Sequence, residues 1–428
     1  MSNIPFQPGV FQSNEDFAVA MDEHDSLKEY RDLFFIPKID GADCVYLCGH
    51  SLGLQPRSAA AYIQQELEDW AQLGVEAHFR ARNPWMPYHR LLREQTAELV
   101  GAKPEEVVVM NSLTVNLHLM MVSFYRPTAS RHKILIERGA FPSDQYAVKS
   151  QIRFHGFDPA ACLIELAPLP GETCLRDEQI ESVIEQSGGQ IALILLGAVN
   201  YATGQAFDLE RITRAGHAQG CVVGFDLAHA AGNLALKLHA QGPDFAVWCS
   251  YKYLNGGPGC IAGCFVHERH ASANNLPRFT GWWGHEESSR FQMGPDFRAM
   301  NGAEGWQLSN PPIVSLAALR ASMDIFHRAG MERLHHKSES LTSYLEFLLL
   351  ETRSSQFTIV TPSDNWRRGA QVSIRLPRNG RALCDRLTSE GILCDWREPD
   401  ILRVAPVPLY NSYRDVFQFV RRFAAAAE

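Results

Sequence analysis

The chain predicts an α/β fold: a large unit with a mostly parallel central sheet covered by helices, and a smaller α+β unit at the C-terminal end. Three observations carry this prediction. Strand-like and helix-like runs alternate from Glu106 to Cys249. The strand-like runs, such as Ile191 to Leu196 and Cys221 to Phe225, are continuously apolar, as strands buried on both faces are. Beyond residue 311 the order changes to two helices followed by short strands, the pattern of a second unit.

At 428 residues the chain exceeds one ordinary hydrophobic core. We expect an N-terminal arm over 1–60 that packs with the small domain, a large domain over 61–310 and a small domain over 311–428. The arm holds a short helix, Glu23 to Phe34, ended by Pro37. A strand at Val45 leads into a glycine-bearing loop, Gly49-His50-Ser51-Leu52-Gly53, of the kind that approaches ligands. Ser58 is placed to cap a helix with Ala59, Ile63, Leu67 and Trp70 on its apolar face, and Gly74 stops it. Asn83-Pro84 opens a further helix running to Gly101, with His78 and Arg80 in the connection before it.

Glu106 to Met110 is a β-branched strand that runs into Asn111-Ser112-Leu113-Thr114 and then a helix. A strand, a hydroxyl-bearing turn and a helix N-terminus together suit an anion, although Ser and Thr also cap helices with no ligand. The strand Lys133 to Glu137 is followed by Phe141-Pro142-Ser143-Asp144, where the aromatic ring either joins the core or stacks on a flat ligand. The alternation continues with strand Cys162 to Leu166, helix Asp177 to Gln186, strand Ile191 to Leu196, helix Leu209 to Gln219 and strand Cys221 to Phe225. Ligands of parallel sheets bind at the carboxyl ends of the strands. Thr114, Phe141, Asp144, Asn200, Asp226, His229 and Lys252 all fall there.

Composition excludes several classes. Hydrophobic residues make up 46% and charged residues 21%, as in a globular protein. A formal net charge of −8 argues against a nucleic acid or an anionic membrane as partner. No apolar run approaches a membrane span, and Met1 to Asp16 lacks the pattern of a secretory signal. The ten cysteines are scattered without CxxC spacing and read as reduced thiols in a cytoplasmic protein. Cys260, Cys264, His267 and His270 could be written as a zinc pattern. The apolar run Cys260 to Val266 reads instead as a buried strand with a polar end, so no metal is expected there.

Two residues point to specific chemistry. One apolar run delivers Asp226 to a strand end, and the next, Asp244 to Cys249, delivers Tyr251 and Lys252 ahead of a glycine turn. Lysine is seldom buried without a purpose. A lysine beside a strand-end acid is the pair that pyridoxal phosphate requires: the amine forms a Schiff base with its aldehyde, and the carboxylate keeps the pyridine nitrogen protonated. Arg403, inside an apolar strand, calls for an anionic partner, either a salt-bridged acid or a substrate carboxylate.

These stretches, together with Gly281 to His285, Ser309 to Pro312 and Arg403 to Asn411, resemble kynureninase, a pyridoxal-phosphate enzyme of fold type I. The matches run in order along nearly the whole chain. The resemblance implies that Lys252 binds the cofactor covalently and that Asp226 pairs with its ring nitrogen, with Asp144 and His229 near the ring. It implies that Phe141 stacks on the ring, with Pro142, Ser143 and Gly197 beside the cofactor. Leu113, Thr114 and Tyr251 would hold the phosphate region, joined by Trp282 and Asn310 from the partner of a homodimer whose site lies at the interface. Arg403 would take the substrate α-carboxylate, with Ser51, His78 and Asn310 near the aromatic end. Tyr251 would also serve catalysis as a proton donor. The implied activity is hydrolysis of the Cβ–Cγ bond of L-kynurenine or 3-hydroxy-L-kynurenine to L-alanine and anthranilate or 3-hydroxyanthranilate, in tryptophan breakdown or NAD supply. The chain departs from that pattern at His50, where Asn is expected, at Gly197, where some members carry Ser, and at Trp283, where Phe is common. A class V aminotransferase or a cysteine desulfurase shares the Asp–Lys placement. A desulfurase needs a reactive loop cysteine, and Cys384 and Cys394 read as helix and strand residues.

Overall fold

The computed structural model describes residues 11–271 and 276–427. Its centre is a seven-stranded sheet built from β1 (Val107–Val109), β2 (Lys133–Glu137), β3 (Leu163–Leu166), β4 (Ile191–Gly197), β5 (Val222–Asp226), β6 (Phe245–Trp248) and β7 (Gly263–Val266). The spatial order is β1-β7-β6-β5-β4-β2-β3, and only β7 runs against its neighbours. The run expected as a strand from Cys260 pairs only from Gly263. Side chains alternate between two cores: Ile194, Leu196, Val223 and Phe225 face one, and Leu193, Leu195 and Val247 the other. Both faces are therefore buried, which is why these strands read as unbroken apolar runs.

Helices α1 (Glu15–His24), α2 (Ala59–Leu73), α3 (Arg93–Val100), α4 (Leu113–Phe124), α5 (Pro142–Phe154), α6 (Asp177–Ser187), α7 (Leu209–Ala218), α8 (Ile313–Ala329), α9 (Met331–Glu351), α10 (Gly380–Ser389) and α11 (Tyr413–Ala427) complete the main elements. Two differ from the expected helices. The helix expected over Glu23 to Phe34 is replaced by α1, capped by the Asn14 side chain, and a 3-10 turn at Lys28–Leu33. The Asp25 carboxylate accepts from the Leu27 amide at 2.8 Å and turns the chain between them. The helix expected from Pro84 to Gly101 is interrupted at Pro87, which has no amide to donate; a 3-10 turn over Tyr88–Leu92 precedes α3. Ser58 occupies the N-cap of α2 but makes no side-chain capping bond.

A second sheet joins β8 (Thr358–Ile359), β9 (Val372–Arg375), β10 (Asp395–Arg397) and β11 (Ile401–Val404) in the order β8-β9-β11-β10, all antiparallel. Its core includes Leu345 from α9, Leu387 from α10 and Phe419 from α11. The N-terminal arm divides between cores. Ala18, Val45 and Leu47 join the small sheet's core, whereas Leu27, Phe34 and Leu54 join the large one. Val45–Tyr46 pairs in parallel with Ile392–Leu393. Helix α8, beyond residue 310, packs along α2, and its Leu316, Leu319 and Phe326 belong to the large core. Among the described residues no helix is long and apolar enough to cross a membrane, and the ten cysteines form no disulfide.

Candidate active site

All strands of the large sheet except β7 point their carboxyl ends at one edge, and a cavity opens there. It is lined by Leu113, Thr114, Glu137, Phe141, Ser143, Asp144, Gly197, Asn200, Tyr201, Asp226, His229, Tyr251 and Lys252, with about 110 Å³ open to water. The residues expected at strand ends are thus brought together. Asp226 ends β5, opposite Gly197 on β4, and its Oδ1 accepts from the Ala228 amide at 2.6 Å. The turn after β6 is closed by the Asn255 amide donating to the Lys252 carbonyl at 3.0 Å, which fixes the backbone that carries Lys252. Lys252 Nζ lies 3.1 Å from His229 Nε2 and 5.8 Å from the centre of the Phe141 ring.

The electrostatics follow from burial. Removal from water raises the Asp226 carboxyl, while Lys252 and the Ala228 amide oppose the rise. Asp144 is pushed well up by burial and then by Asp226 beside it. Two neighbouring acids in a dry site oppose each other's ionisation. His229 is held neutral, well below the ordinary imidazole range, by burial and by Lys252.

The donor set suits pyridoxal phosphate. Asp144 Oδ1 and His229 Nδ1 are buried in the cavity wall without hydrogen-bond partners. Helices α4 and α5 both begin at the cavity, and the Thr114 and Ser143 hydroxyls lie 3.0 Å apart between them. Two helix N-termini with two hydroxyls make a cradle for a phosphate. Pro142, the first residue of α5, supplies the turn rather than the cavity lining.

Glu137 is a wall residue that the sequence did not disclose. Its Oε1 accepts from the Gly197 amide at 3.0 Å and its Oε2 from Asn200 Nδ2 at 2.6 Å. Burial raises its carboxyl to about 7 against those two donors. A Cβ on Gly197 would stand 3.1 Å from Glu137 Oε1, so a serine there would crowd this carboxyl.

Arg403 is buried beside the cavity. It donates to Asp395 Oδ2 at 2.6 Å, to the Tyr201 carbonyl at 2.8 Å and to Ser51 Oγ at 3.2 Å, while its Nε is buried and unpaired. Ser51 also donates to Asp395, and Arg397 reaches the same oxygen at 3.0 Å. The salt-bridge alternative for Arg403 is therefore present in the fold. His50 is fully buried, 3.7 Å from Asp395, with both ring nitrogens unpaired. Six expected site residues do not line this chain's cavity: Pro142, Ser51 and Arg403, described above, and His78, Trp282 and Asn310. His78 sets Nδ1 3.0 Å from the Val75 carbonyl, with its ring edge-on to Trp85, and Trp282 and Asn310 are exposed. Cys384 and Cys394 are 3.8 Å apart at Sγ, on a helix and next to a strand, rather than on a loop over the cavity.

A lysine and a strand-end acid on one cavity, at the carboxyl edge of such a sheet, define a pyridoxal-phosphate enzyme of fold type I. The fold is shared with solved structures of low sequence identity. The cystine C-S lyase C-DES superposes with a TM-score of 0.77 at 17% identity, covering 90% of this chain and 97% of the other. A cysteine desulfurase of Escherichia coli gives 0.75 at 18%, covering 93% and 97%. Residues 334–423 match the family model of the kynureninase C-terminal domain. The kynureninase of Koribacter versatilis (strain Ellin345) is 66% identical over 97% of this chain and 98% of its own length. That of Myxococcus xanthus (strain DK1622) is 62% identical over 97% of each. The chain belongs to the kynureninase family, whose members are pyridoxal-phosphate hydrolases of a carbon–carbon bond.

Proposed function

We propose that the chain, as a cytoplasmic homodimer, uses water to split the Cβ–Cγ bond of L-kynurenine or 3-hydroxy-L-kynurenine. The products are L-alanine and anthranilate or 3-hydroxyanthranilate. The observation that carries this reading is the one cavity that gathers Lys252, Asp226, Asp144 and His229 beside Arg403. When bound, pyridoxal phosphate supplies an aldehyde for an amine and a protonated ring that withdraws electrons.

The chain's own groups do the rest. Asp226, which Lys252 and the Ala228 amide favour in its charged form, would hold a proton on the ring nitrogen, with Asp144 beside it. His229, neutral, accepts from Lys252 and sets the direction of its amine. Lys252, with its amine in the cavity beside His229, would take the proton from the substrate Cα. Tyr251, which burial keeps as a phenol, gives a proton to the departing carbon. Phe141 covers one face of the ring. Leu113, Thr114, Ser143 and the two helix N-termini hold the phosphate. Arg403 receives the α-carboxylate, sharing itself with Asp395, and Ser51 lies against both.

The partner subunit supplies what this chain's cavity lacks. A broad groove of about 780 Å³ is lined by Ala59, Ile63, Trp70, Trp85, Pro312 and Val314, and Trp70 and Val314 are exposed. Trp70 and Val314 are the exposed apolar side chains that a second copy would cover. Closing it would bring Trp282 and Asn310 of each subunit to the other's phosphate site, and His78, beside Trp85, to the substrate's aromatic end. The deciding experiment incubates the pure protein with pyridoxal phosphate and kynurenine and assays anthranilate and alanine together. Equal amounts support the reading. Conversion of kynurenine to its uncleaved 2-oxo acid, with neither anthranilate nor alanine formed, would make the chain an aminotransferase.

A further inference from the structure

The active site leaves unused a cluster of ligating side chains at the opposite edge of the large sheet. Glu106 precedes β1, His267 follows β7, and His239 lies on the short helix Leu238–Gln241. Strand β7 runs against β1, with Phe265 opposite Val107, so the end of one strand meets the start of the other. His239 Nδ1 is 3.0 Å and His267 Nδ1 is 3.7 Å from Glu106 Oε1. One ligand atom from each residue falls within 4.8 Å of the other two. In a tetrahedral zinc site with bonds of about 2.0–2.1 Å, neighbouring ligand atoms stand about 3.3 Å apart, between the two measured separations.

We propose that Glu106, His239 and His267 form a structural binding site for a divalent cation of the zinc class, with water as the fourth ligand. Glu106 is fully buried, and among the described residues its ion-pair partners are these two histidines alone. Among the described residues no arginine or lysine stands within ion-pair distance of this buried carboxylate. Its neighbour Asp244 shows the contrast. That acid has Arg269 at 3.1 Å as well as His217 and His270 at 2.9 and 2.8 Å.

Glu106 is also oriented from behind, as metal-ligating carboxylates are. The Lys103 amide donates to Oε2 at 2.9 Å and the Glu268 amide to Oε1 at 2.8 Å. His267 presents an Nδ1 lone pair toward the cluster. Its Nδ1 now accepts from the Arg269 amide at 3.2 Å, the contact a metal would replace. The two imidazole rings stack with centroids 5.3 Å apart, and half-exposed His239 gives an ion its way in. The set of two nitrogens and one oxygen favours zinc, cobalt or nickel over calcium or magnesium.

This edge lies away from Lys252, so the cation would act on stability and leave turnover unchanged. The test titrates the untagged holoenzyme with cobalt chloride, followed by absorption, and with zinc chloride, followed by calorimetry. One cobalt ion per chain, a visible band displaced by zinc, a higher Tm with zinc and unaltered turnover are expected. His239→Ala should lose saturable binding, and His270→Ala should keep it. Absence of saturable binding overturns the site, as does binding that survives His239→Ala or disappears in His270→Ala. Should His239→Ala fail to fold, His267→Gln is read by the same criteria.

Discussion

Replacing Arg403 by alanine separates the two roles open to this side chain. In the free enzyme its guanidinium holds Asp395 at 2.6 Å and the Tyr201 carbonyl at 2.8 Å. A hydrogen bond to a charged group contributes about 1.5–3 kcal/mol, so two bonds to a substrate carboxylate give about 3 kcal/mol after some desolvation is offset. That corresponds to a loss of roughly a hundredfold in kcat/KM. The loss belongs mainly in KM, because the α-carboxylate is held in the ground state and the transition state alike. Truncation also frees Asp395, which keeps Arg397 at 3.0 Å and is not left without a cation. The fold should survive for that reason. Steady-state kinetics with kynurenine on Arg403→Ala, Asp395→Asn and the double variant gives the coupling between the two residues. An unchanged KM in Arg403→Ala, with a lowered Tm, would refute substrate recognition and leave only the salt bridge.

Lys252→Ala should lower turnover by at least roughly 10³-fold, with circular dichroism and Tm close to wild type; substantial residual product would remove the lysine from the chemistry. Asp226→Asn retains an acceptor for the Ala228 amide, so it should fold, bind cofactor less tightly and slow Cα proton loss by roughly 10²–10⁴-fold. Hydrogen–deuterium exchange at Cα reads that step, and a near wild-type rate would sink the assignment. Glu137 has a folded pKa of about 7, raised by burial from an ordinary 4.5. Its contribution to stability is therefore complete below about pH 4.5 and is lost as pH rises through about 7, a change of about 3 kcal/mol. Urea midpoints of the cofactor-free protein from pH 5 to 8 should fall less steeply in Glu137→Gln than in wild type; equal slopes would mean that Glu137 is ionised throughout.

Much of this architecture was legible in the sequence because the chemistry of burial writes it there. Strands covered on both faces have no room for polar residues, so β4 and β5 stood out, and with them Asp226 at a strand end. The reversal of β7 was also written, though less visibly. Only residues 249–262 separate it from β6, with no helix among them, and a parallel return needs a crossover that is usually helical. Glu137 escaped because an acid at a strand end ordinarily caps into solvent; only the fold reveals the Gly197 amide and Asn200 waiting for it. Asp395 escaped for another reason. It faces Arg403 through the antiparallel register of β10 with β11, which depends on where the turn between them falls. Trp282, Asn310 and His78, assigned through the resemblance, lie outside the cavity lining of this chain.

The segment from Val45 to Gly53 runs from the C-terminal lobe to the active-site loop. At one end Val45 and Tyr46 extend the pairing of Ile392 and Leu393. At the other, the Gly53 amide donates to the Tyr251 carbonyl at 2.8 Å, and a Cβ on Gly53 would overlap the Lys252 carbonyl. Nine residues thus form a rigid strut between the C-terminal lobe and the reactive amine's backbone. Any rotation of that lobe, such as one driven by a ligand seated on Arg403, is handed directly to the peptide that aims Lys252, so recognition at one end and reactivity at the other share a single lever.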